Sequence, residues 1–167
     1  MSSRGKLSLE DLVAHPDKIF WPEEGYTKLD LAHFYDVIFP KLQPFVRNRL
    51  LVLERCPDGM CGECFFEKEA PQSMPKNTPT TLIQHQNRSI HYVVGGSRET
   101  QIALVNLGCI AVHIWGSRAE HPHQPDWVVF DLDPGSGRFS DAAKAGQLLR
   151  AALEASVASE LIWFRKL

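Results

Sequence analysis

Apolar and polar positions alternate along this chain with two different periods, and each change of period marks an element. In TKLDLAHFYDVIF (27–39), Leu31, Phe34, Tyr35 and Ile38 fall at i, i+3, i+4 and i+7, which predicts one buried stripe of a helix. Thr27 stands where a cap is needed, and Asp30 three residues on makes an acidic capping box. Pro40 and Pro44 leave the end of this helix open. RLLVLER (49–55) and CFFEK (64–68) read as strands, with the turn residues Pro57-Asp58-Gly59 between them. Residues 70–80 are rich in Pro, Asn, Thr and Ser and predict a loop. IHYVV (90–94) is a further strand, ending at Gly95-Gly96. SRETQIALVNLG (97–108) predicts a helix capped by Ser97 and stopped by Gly108. IAVHIW (110–115) is a strand whose alternation puts His113 on the face of Ala111 and Trp115. The polar stretch 117–126, with His121, Pro122, His123 and Pro125, is a loop.

WVVFDLD (127–133) then predicts another strand. SDAAKAGQLLRAALEA (140–155) predicts a helix capped by Ser140, with Ala145, Leu148, Leu149, Ala152 and Leu153 on one face. ASELIWFRKL (158–167) reads as the start of one more apolar strand. The order of elements implies an α/β (α+β) layer structure: a mixed, partly antiparallel sheet with packed helices, forming a single domain over residues 1–167.

Length supports that reading, since 167 residues suffice for one domain with a real core. A hydrophobic share of 44% and a charged share of 23% are those of an ordinary globular chain, and no internal repeat interrupts it. No apolar run approaches the roughly 20 residues of a membrane span. Met1-Ser2-Ser3-Arg4-Gly5-Lys6 leads into no hydrophobic signal core, so a cytoplasmic location is expected, with no membrane partner. The net charge of −2 rules out a broad basic coat, so any nucleic-acid contact must come from a local patch.

Four cysteines, Cys56, Cys61, Cys64 and Cys109, are expected as thiols or metal ligands before disulfides. Cys61-x-x-Cys64 is a possible zinc half-site, with Cys56, Cys109, His121 or His123 as further donors. A second well-formed pair is missing, so zinc is disfavoured against a glycine-rich hairpin with small, partly buried cysteines.

The run DWVVFDLDPG (126–135) carries the most specific chemistry. On a strand, residues two apart share a face, so Asp131 and Asp133 would project together, about 6.6 Å apart along the axis. Both carboxylates could then reach one or two divalent ions. Two ions about 3.5–4 Å apart activate the attacking oxygen and stabilise the leaving one in phosphoryl transfer. The plainer alternative is that Asp133 opens the Pro134-Gly135 turn and Asp131 is merely exposed.

HPDKIFWPEEGYTK (15–28), RCPDGMCGECFFEK (55–68), IAVHIW and PDWVVFDLDPG occur in this order, and together they resemble the polymerase domain of bacterial ligase D. That family is a primase-type polymerase of the archaeo-eukaryotic primase superfamily, used in non-homologous end joining. The resemblance covers residues 15–155. It implies that Asp131 and Asp133 are catalytic and hold Mn²⁺ or Mg²⁺, and that His113 lies near the incoming nucleotide. It implies further that Lys18 and Lys28 hold the 5′-phosphate of a DNA end or gap. Phe65 and Phe66 would contact the template and nucleotide region, with Lys68 beside them. These roles suit the side chains: lysine is a point charge for phosphate, and aromatic faces stack unpaired bases.

The departures also carry implications. Family members are longer, with a later Ser-Gly-x-Lys-Gly-x-His stretch for the triphosphate and a third metal-binding aspartate, and neither occurs here. His15 stands where an Asn is expected. The resemblance therefore implies an incomplete primase-type fold, the N-terminal portion of a polymerase, as from a shortened or frameshifted gene, with impaired catalysis. The expected partners are 5′-phosphorylated DNA ends, nucleoside triphosphates if the chain is active, a ligase and a Ku-type end-binding protein. The alternatives are a non-catalytic module for 5′-phosphorylated ends and an inert gene fragment.

Overall fold

The computed structural model describes residues 8–156. They run α1 (Leu9–Leu12), β1 (Ile19–Trp21), β2 (Tyr26–Thr27), α2 (Lys28–Val46), β3 (Arg49–Arg55), β4 (Phe65–Glu67), β5 (Thr80–Gln84), β6 (Ser89–Val93), α3 (Arg98–Asn106), β7 (Cys109–Arg118) and α4 (Phe139–Ser156). The mixed α/β class expected from the sequence is what forms. The chain divides into two compact units, one ending at Val128 and one beginning at Val129. Among the described residues, no helix is long and apolar enough to cross a membrane. The strand expected over 158–167 lies outside the described residues.

The first unit is organised around β3. It pairs antiparallel with β4 on one side and β7 on the other, giving the order β4-β3-β7. Both faces of β3 are covered. Leu51 and Leu53 pack with Val93, Leu104 and Cys109 under α3. Leu50 packs with Ile83, Ile90 and Tyr92 under the β5–β6 hairpin, joined by Val52 and Trp115. A strand buried on both faces shows up in sequence as a continuous apolar run, which is how RLLVLER reads. A third cluster joins Leu9, Val13, Phe20, Leu31, Ala32, Tyr35, Ile102 and Val105, fastening β1 and the three helices of this unit together.

Helix α2 begins as predicted. Thr27 Oγ1 accepts from the Asp30 backbone N–H, and the Asp30 carboxylate accepts from the Thr27 N–H at 2.7 Å. Those bonds hold the Asp30 carboxyl below its ordinary range, the backbone donor contributing most. Leu31 and Tyr35 of the predicted stripe are buried, but Phe34 is 55% exposed and lines a cleft instead. The helix continues through Pro40 and Pro44 to Val46. Each proline removes one backbone donor, but burial of Phe39 and Val46 keeps the last turns against the core.

Two elements differ from what the sequence pattern offers. TTLIQ (80–84) begins at the last residue of the predicted loop and sits in a polar context, but it forms β5 by pairing with β6. Conversely, 127–133 forms no strand. Among the described residues no neighbouring strand pairs with it, so its alternating pattern has no ladder to enforce it, and Val128 and Val129 are 71% and 75% exposed. In the second unit α4 forms, but it begins at Phe139, so Ser140 lies inside its first turn and is not the cap; its half-buried positions are Ala142, Gly146, Leu149 and Leu153, while Leu148 is exposed.

Candidate functional site

The loop from α1 to β1 brings Lys18 and Lys28 together. His15 adopts φ +52°, a left-handed conformation open to Asn and His more than to most side chains, and its carbonyl accepts from the Lys18 N–H. The Lys28 N–H in turn donates to the Lys18 carbonyl at 2.8 Å. His15, Asp17 and Lys18 line an open depression of about 500 Å³. The two ammonium groups have different surroundings. Lys18 is exposed, and its Nζ donates to Asp58 Oδ1 at 2.7 Å, from the turn before β4. Lys28 is buried, and its Nζ donates to the carbonyls of Ala14 at 2.8 Å and Asn106 at 2.9 Å. Burial, followed by repulsion from Lys18, lowers the Lys28 pKa. The Asn106 side chain closes the arrangement, accepting from Ala14 N–H and donating to the Leu12 carbonyl.

A second group lies at the open end of the three-stranded sheet. Glu54 of β3 sits opposite Phe66 of β4 and Ala111 of β7, and Val52 sits opposite His113. This is the face that the β5–β6 hairpin covers at Leu50. Beyond that cover, Glu54 Oε2 lies 3.1 Å from His113 Nε2, and the Phe66 ring meets the imidazole edge-on with centroids 5.2 Å apart. The structure thus brings His113 and Phe66 together. Phe65 points to the opposite face, where the Arg55 guanidinium lies 5.4 Å from its ring centroid. Neither phenylalanine packs in the core: they are 43% and 63% exposed, because β4 is an edge strand of only three residues. Lys68 is exposed, just past the end of β4.

Asp131 and Asp133 belong to the second unit and are exposed on irregular backbone. Without a strand, the argument that alternation aims both carboxylates one way does not hold for this stretch. Asp133 Oδ1 accepts from the Gly135 N–H at 2.8 Å, an Asx turn of the kind its Pro-Gly sequel favours. Two carboxylates are hard oxygen donors of the type Mg²⁺ and Mn²⁺ take. Among the described residues, no group of three or more His, Cys, Asp or Glu side chains converges.

Sequence reasoning missed the partners that set these side chains in place. Asp58 read only as a turn residue and Glu54 only as a strand residue. Arg49, 4% exposed, holds Asp126 at 2.7 Å, and its guanidinium lies 4.7 Å from the Trp127 ring centroid. None of these pairings has a local signal, since Glu54 and His113 are 59 residues apart and Lys18 and Asp58 are 40 apart.

The cysteines depart from expectation. Cys56 and Cys64 are joined in a disulfide, so Cys64 is not half of a metal pair with Cys61. The strand ends of β3 and β4 place their Cα atoms 4.3 Å apart, and this proximity is what the compartment argument could not foresee. Cys61 is an exposed thiol, and Cys109 is buried, its pKa pushed up to about 12 by desolvation.

Comparison with known proteins gives a consistent result. The chain is 31% identical over 127 residues to the multifunctional non-homologous end joining protein LigD of Mycolicibacterium smegmatis, covering 75% of this chain and 17% of that protein. It is 30% identical over 134 residues to the Pseudomonas aeruginosa protein of the same name, covering 73% and 14%. A bifunctional non-homologous end joining protein LigD of Bacillus subtilis is 27% identical, covering 83% and 22%. The chain thus spans less than a quarter of the length of these relatives. Its fold matches the polymerase domain of Mycobacterium tuberculosis ligase D, solved in complex with DNA, with a TM-score of 0.71 at 20% identity, over 86% of this chain and 53% of that one. The model of the LigD primase-polymerase domain matches residues 27–162, most of the chain, which therefore belongs to that family of non-homologous end joining repair.

Proposed function

We propose that this chain engages DNA ends in non-homologous end joining and takes part in metal-dependent nucleotidyl transfer there. The observation that carries the reading is the open depression lined by His15, Asp17 and Lys18, a recess that presents an exposed lysine ammonium in a member of a polymerase family. The M. tuberculosis polymerase domain of similar fold was solved in complex with DNA, which supports the same class of partner here. Lys18 meets the 5′-phosphate directly. Lys28 supports the recess from within, through its bonds to Ala14 and Asn106. Phosphate contacts of this kind position an end without reading its sequence. Phe66 offers a ring face to a base, and His113, oriented by Glu54, offers its other ring nitrogen to a nucleotide. Phe65 opens the same edge strand and Lys68 follows its end.

Asp131 and Asp133 would hold Mn²⁺ or Mg²⁺, which when bound supplies charge stabilisation to the transferring phosphoryl group. The remaining carboxylate and the triphosphate-binding groups of the family would come from residues outside this sequence or from another chain. A ligase and a Ku-type protein are the expected associates of such a reaction.

A second reading, a non-catalytic module for 5′-phosphorylated ends, is favoured by one observation: Asp133 is engaged in a turn and the pair lies on irregular backbone. Primer extension on gapped DNA with a 5′-phosphate separates the two. Supplied with Mn²⁺ and either ribo- or deoxyribonucleotides, the chain is expected to extend the primer, and Asp131→Ala/Asp133→Ala is expected to abolish extension. No extension from a cooperatively folded protein leaves the binding module. Extension that survives the double substitution removes the two aspartates from the metal site.

A further inference from the structure

Resting on the reading of Lys18 as the phosphate ligand, we propose that Cys56 and Cys64 form a redox-modification site, opened by a dithiol, that sets whether Lys18 is held by Asp58 or free for a 5′-phosphate. The disulfide spans a sequence separation of eight and closes the loop that carries Asp58. That loop leans at three points on β1 and the lysine that precedes it. Asp58 Oδ1 takes the Lys18 ammonium at 2.7 Å, and Met60 N–H donates to the Phe20 carbonyl at 2.8 Å. Gly59, at φ +79°, lies so close that an added Cβ would stand 2.8 Å from the Phe20 Cα and carbonyl oxygen. Its start, Cys56-Pro57, also packs on Gly108, while Asp58 and the residues Met60 and Cys61 face solvent. The Asp58 side chain is 78% exposed, Met60 is 51% exposed, and Cys61 is exposed.

An ion pair this exposed has little hold of its own, so its persistence depends on how well the loop is already fixed. The covalent closure adds to the fixing that the β3–β4 ladder gives, by removing further open conformations of the loop. Bound to Asp58, Lys18 has part of its charge answered before a phosphate arrives. With the closure opened, the ends of the loop stay paired through Arg55 and Phe65, and Cys56 N–H keeps its bond to the Gly108 carbonyl, but the stretch that carries Asp58 retains its turn bonds, Gly59 N–H to the Cys56 carbonyl and Gly62 N–H to the Gly59 carbonyl, and the Met60 bond to β1.

The two sulfurs are not equally open to attack. Cys56 is 2% exposed, whereas Cys64 is exposed. A thiolate of the dithiol therefore attacks Cys64 Sγ. A mixed disulfide forms, the Cys56–Cys64 bond breaks, and its electron pair leaves on Cys56 Sγ, which takes a proton. The second thiol of the reagent loses its proton and displaces Cys64 Sγ, which is protonated in turn. Two electrons pass from the reagent to the protein, and the reagent closes into its own disulfide.

The test uses the 167-residue chain, as wild type and as Cys61→Ser, which prevents a Cys61–Cys64 pair from forming. Each is compared oxidised and after dithiothreitol. Alkylation of open thiols followed by peptide mapping reads the cysteine state. Lysine amines are reductively methylated with ¹³C-formaldehyde and a borane reductant, and the Lys18 resonance is identified by its loss in Lys18→Arg. Fluorescence anisotropy gives affinity for matched duplexes with a recessed 5′-phosphate or 5′-hydroxyl. The expected result is a shifted Lys18 resonance on reduction and a phosphate preference about three- to fivefold larger. In Asp58→Asn that larger preference is expected in both redox states. Cys56 and Cys64 found as thiols in the oxidised protein overturn the proposal, as does a Lys18 resonance indifferent to reduction. A Lys18 resonance that moves while neither state distinguishes the two ends upholds the redox coupling and removes the phosphate reading of Lys18.

Discussion

Lys28 is charged, in a segment that reads as the exposed start of a helix, and yet it is 6% exposed. The reason lies in two carbonyls, Ala14 and Asn106, that take its ammonium in part-buried surroundings. Lys28→Met keeps the apolar stem and removes the donor. It is expected to cost about 2–4 kcal/mol in urea unfolding, because both acceptors lose their charged partner at once. Lys18→Met, whose partner Asp58 is a surface group, is expected to change stability by less than about 0.5 kcal/mol and to act on DNA-end affinity instead. Equal stability losses in the two variants would remove the distinction drawn here between a supporting and a contacting lysine. The sequence treats these lysines alike. What separates them is contact across 14 and 78 residues for Lys28 and across 40 for Lys18, and no local pattern carries that information. Thr27 is the opposite case. Its cap needs only Asp30, three residues away, and so it was fully legible.

At the scale of elements, what could be read followed the same rule of distance. Helices α2 and α3 start at Thr27 and Ser97 because capping is local, and β3 was plain because burial on both faces makes an unbroken apolar run. The stretch 127–133 was misread because alternation specifies a strand only where a neighbour accepts its bonds. The polar TTLIQ was missed because its strand identity comes from β6. The entry to 127–133 is nevertheless fixed. Asp126 accepts from Arg49 at 2.7 Å and from Arg118 at 2.8 Å, and Trp127 Nε1 donates to the Trp115 carbonyl. The Arg49 hydrogen bond, foremost, holds the Asp126 carboxyl below its ordinary value of 3.8. A carboxylate with a depressed folded pKa stabilises above its unfolded pKa, and the gain is lost as pH falls through the folded one. Asp126→Asn is therefore expected to destabilise by about 1–2 kcal/mol at neutral pH, where Arg49 loses its counter-charge. Thermal melts from pH 7 downward should show wild type and Asp126→Asn separated above about pH 5 and converging below about pH 4. A separation unchanged into acid would mean that Asp126 acts by shape and not by charge.

For the whole molecule, charge decides what kind of DNA contact is possible. A chain with 18 Lys and Arg against 20 Asp and Glu cannot coat a duplex electrostatically. Several of its cations are also answered internally: Arg49 and Arg118 by Asp126, Arg55 by Glu67, and Arg98 by Asp36. Binding that proceeds through Lys18 and a few neighbours should thus depend only weakly on salt. Each phosphate neutralised contributes about −0.9 to the slope of log K against log salt on duplex DNA. A slope of about −2 is expected for an end carrying a 5′-phosphate, and Lys18→Met should make it shallower by about 1. Titrations at several salt concentrations, with the 5′-hydroxyl end as reference, measure both quantities. A slope near −6, unaffected by Lys18→Met, would mean that the duplex rather than its end is being held. That outcome would require a basic surface that the charge balance of these residues does not supply, and it would move the site away from the depression at His15 and Lys18.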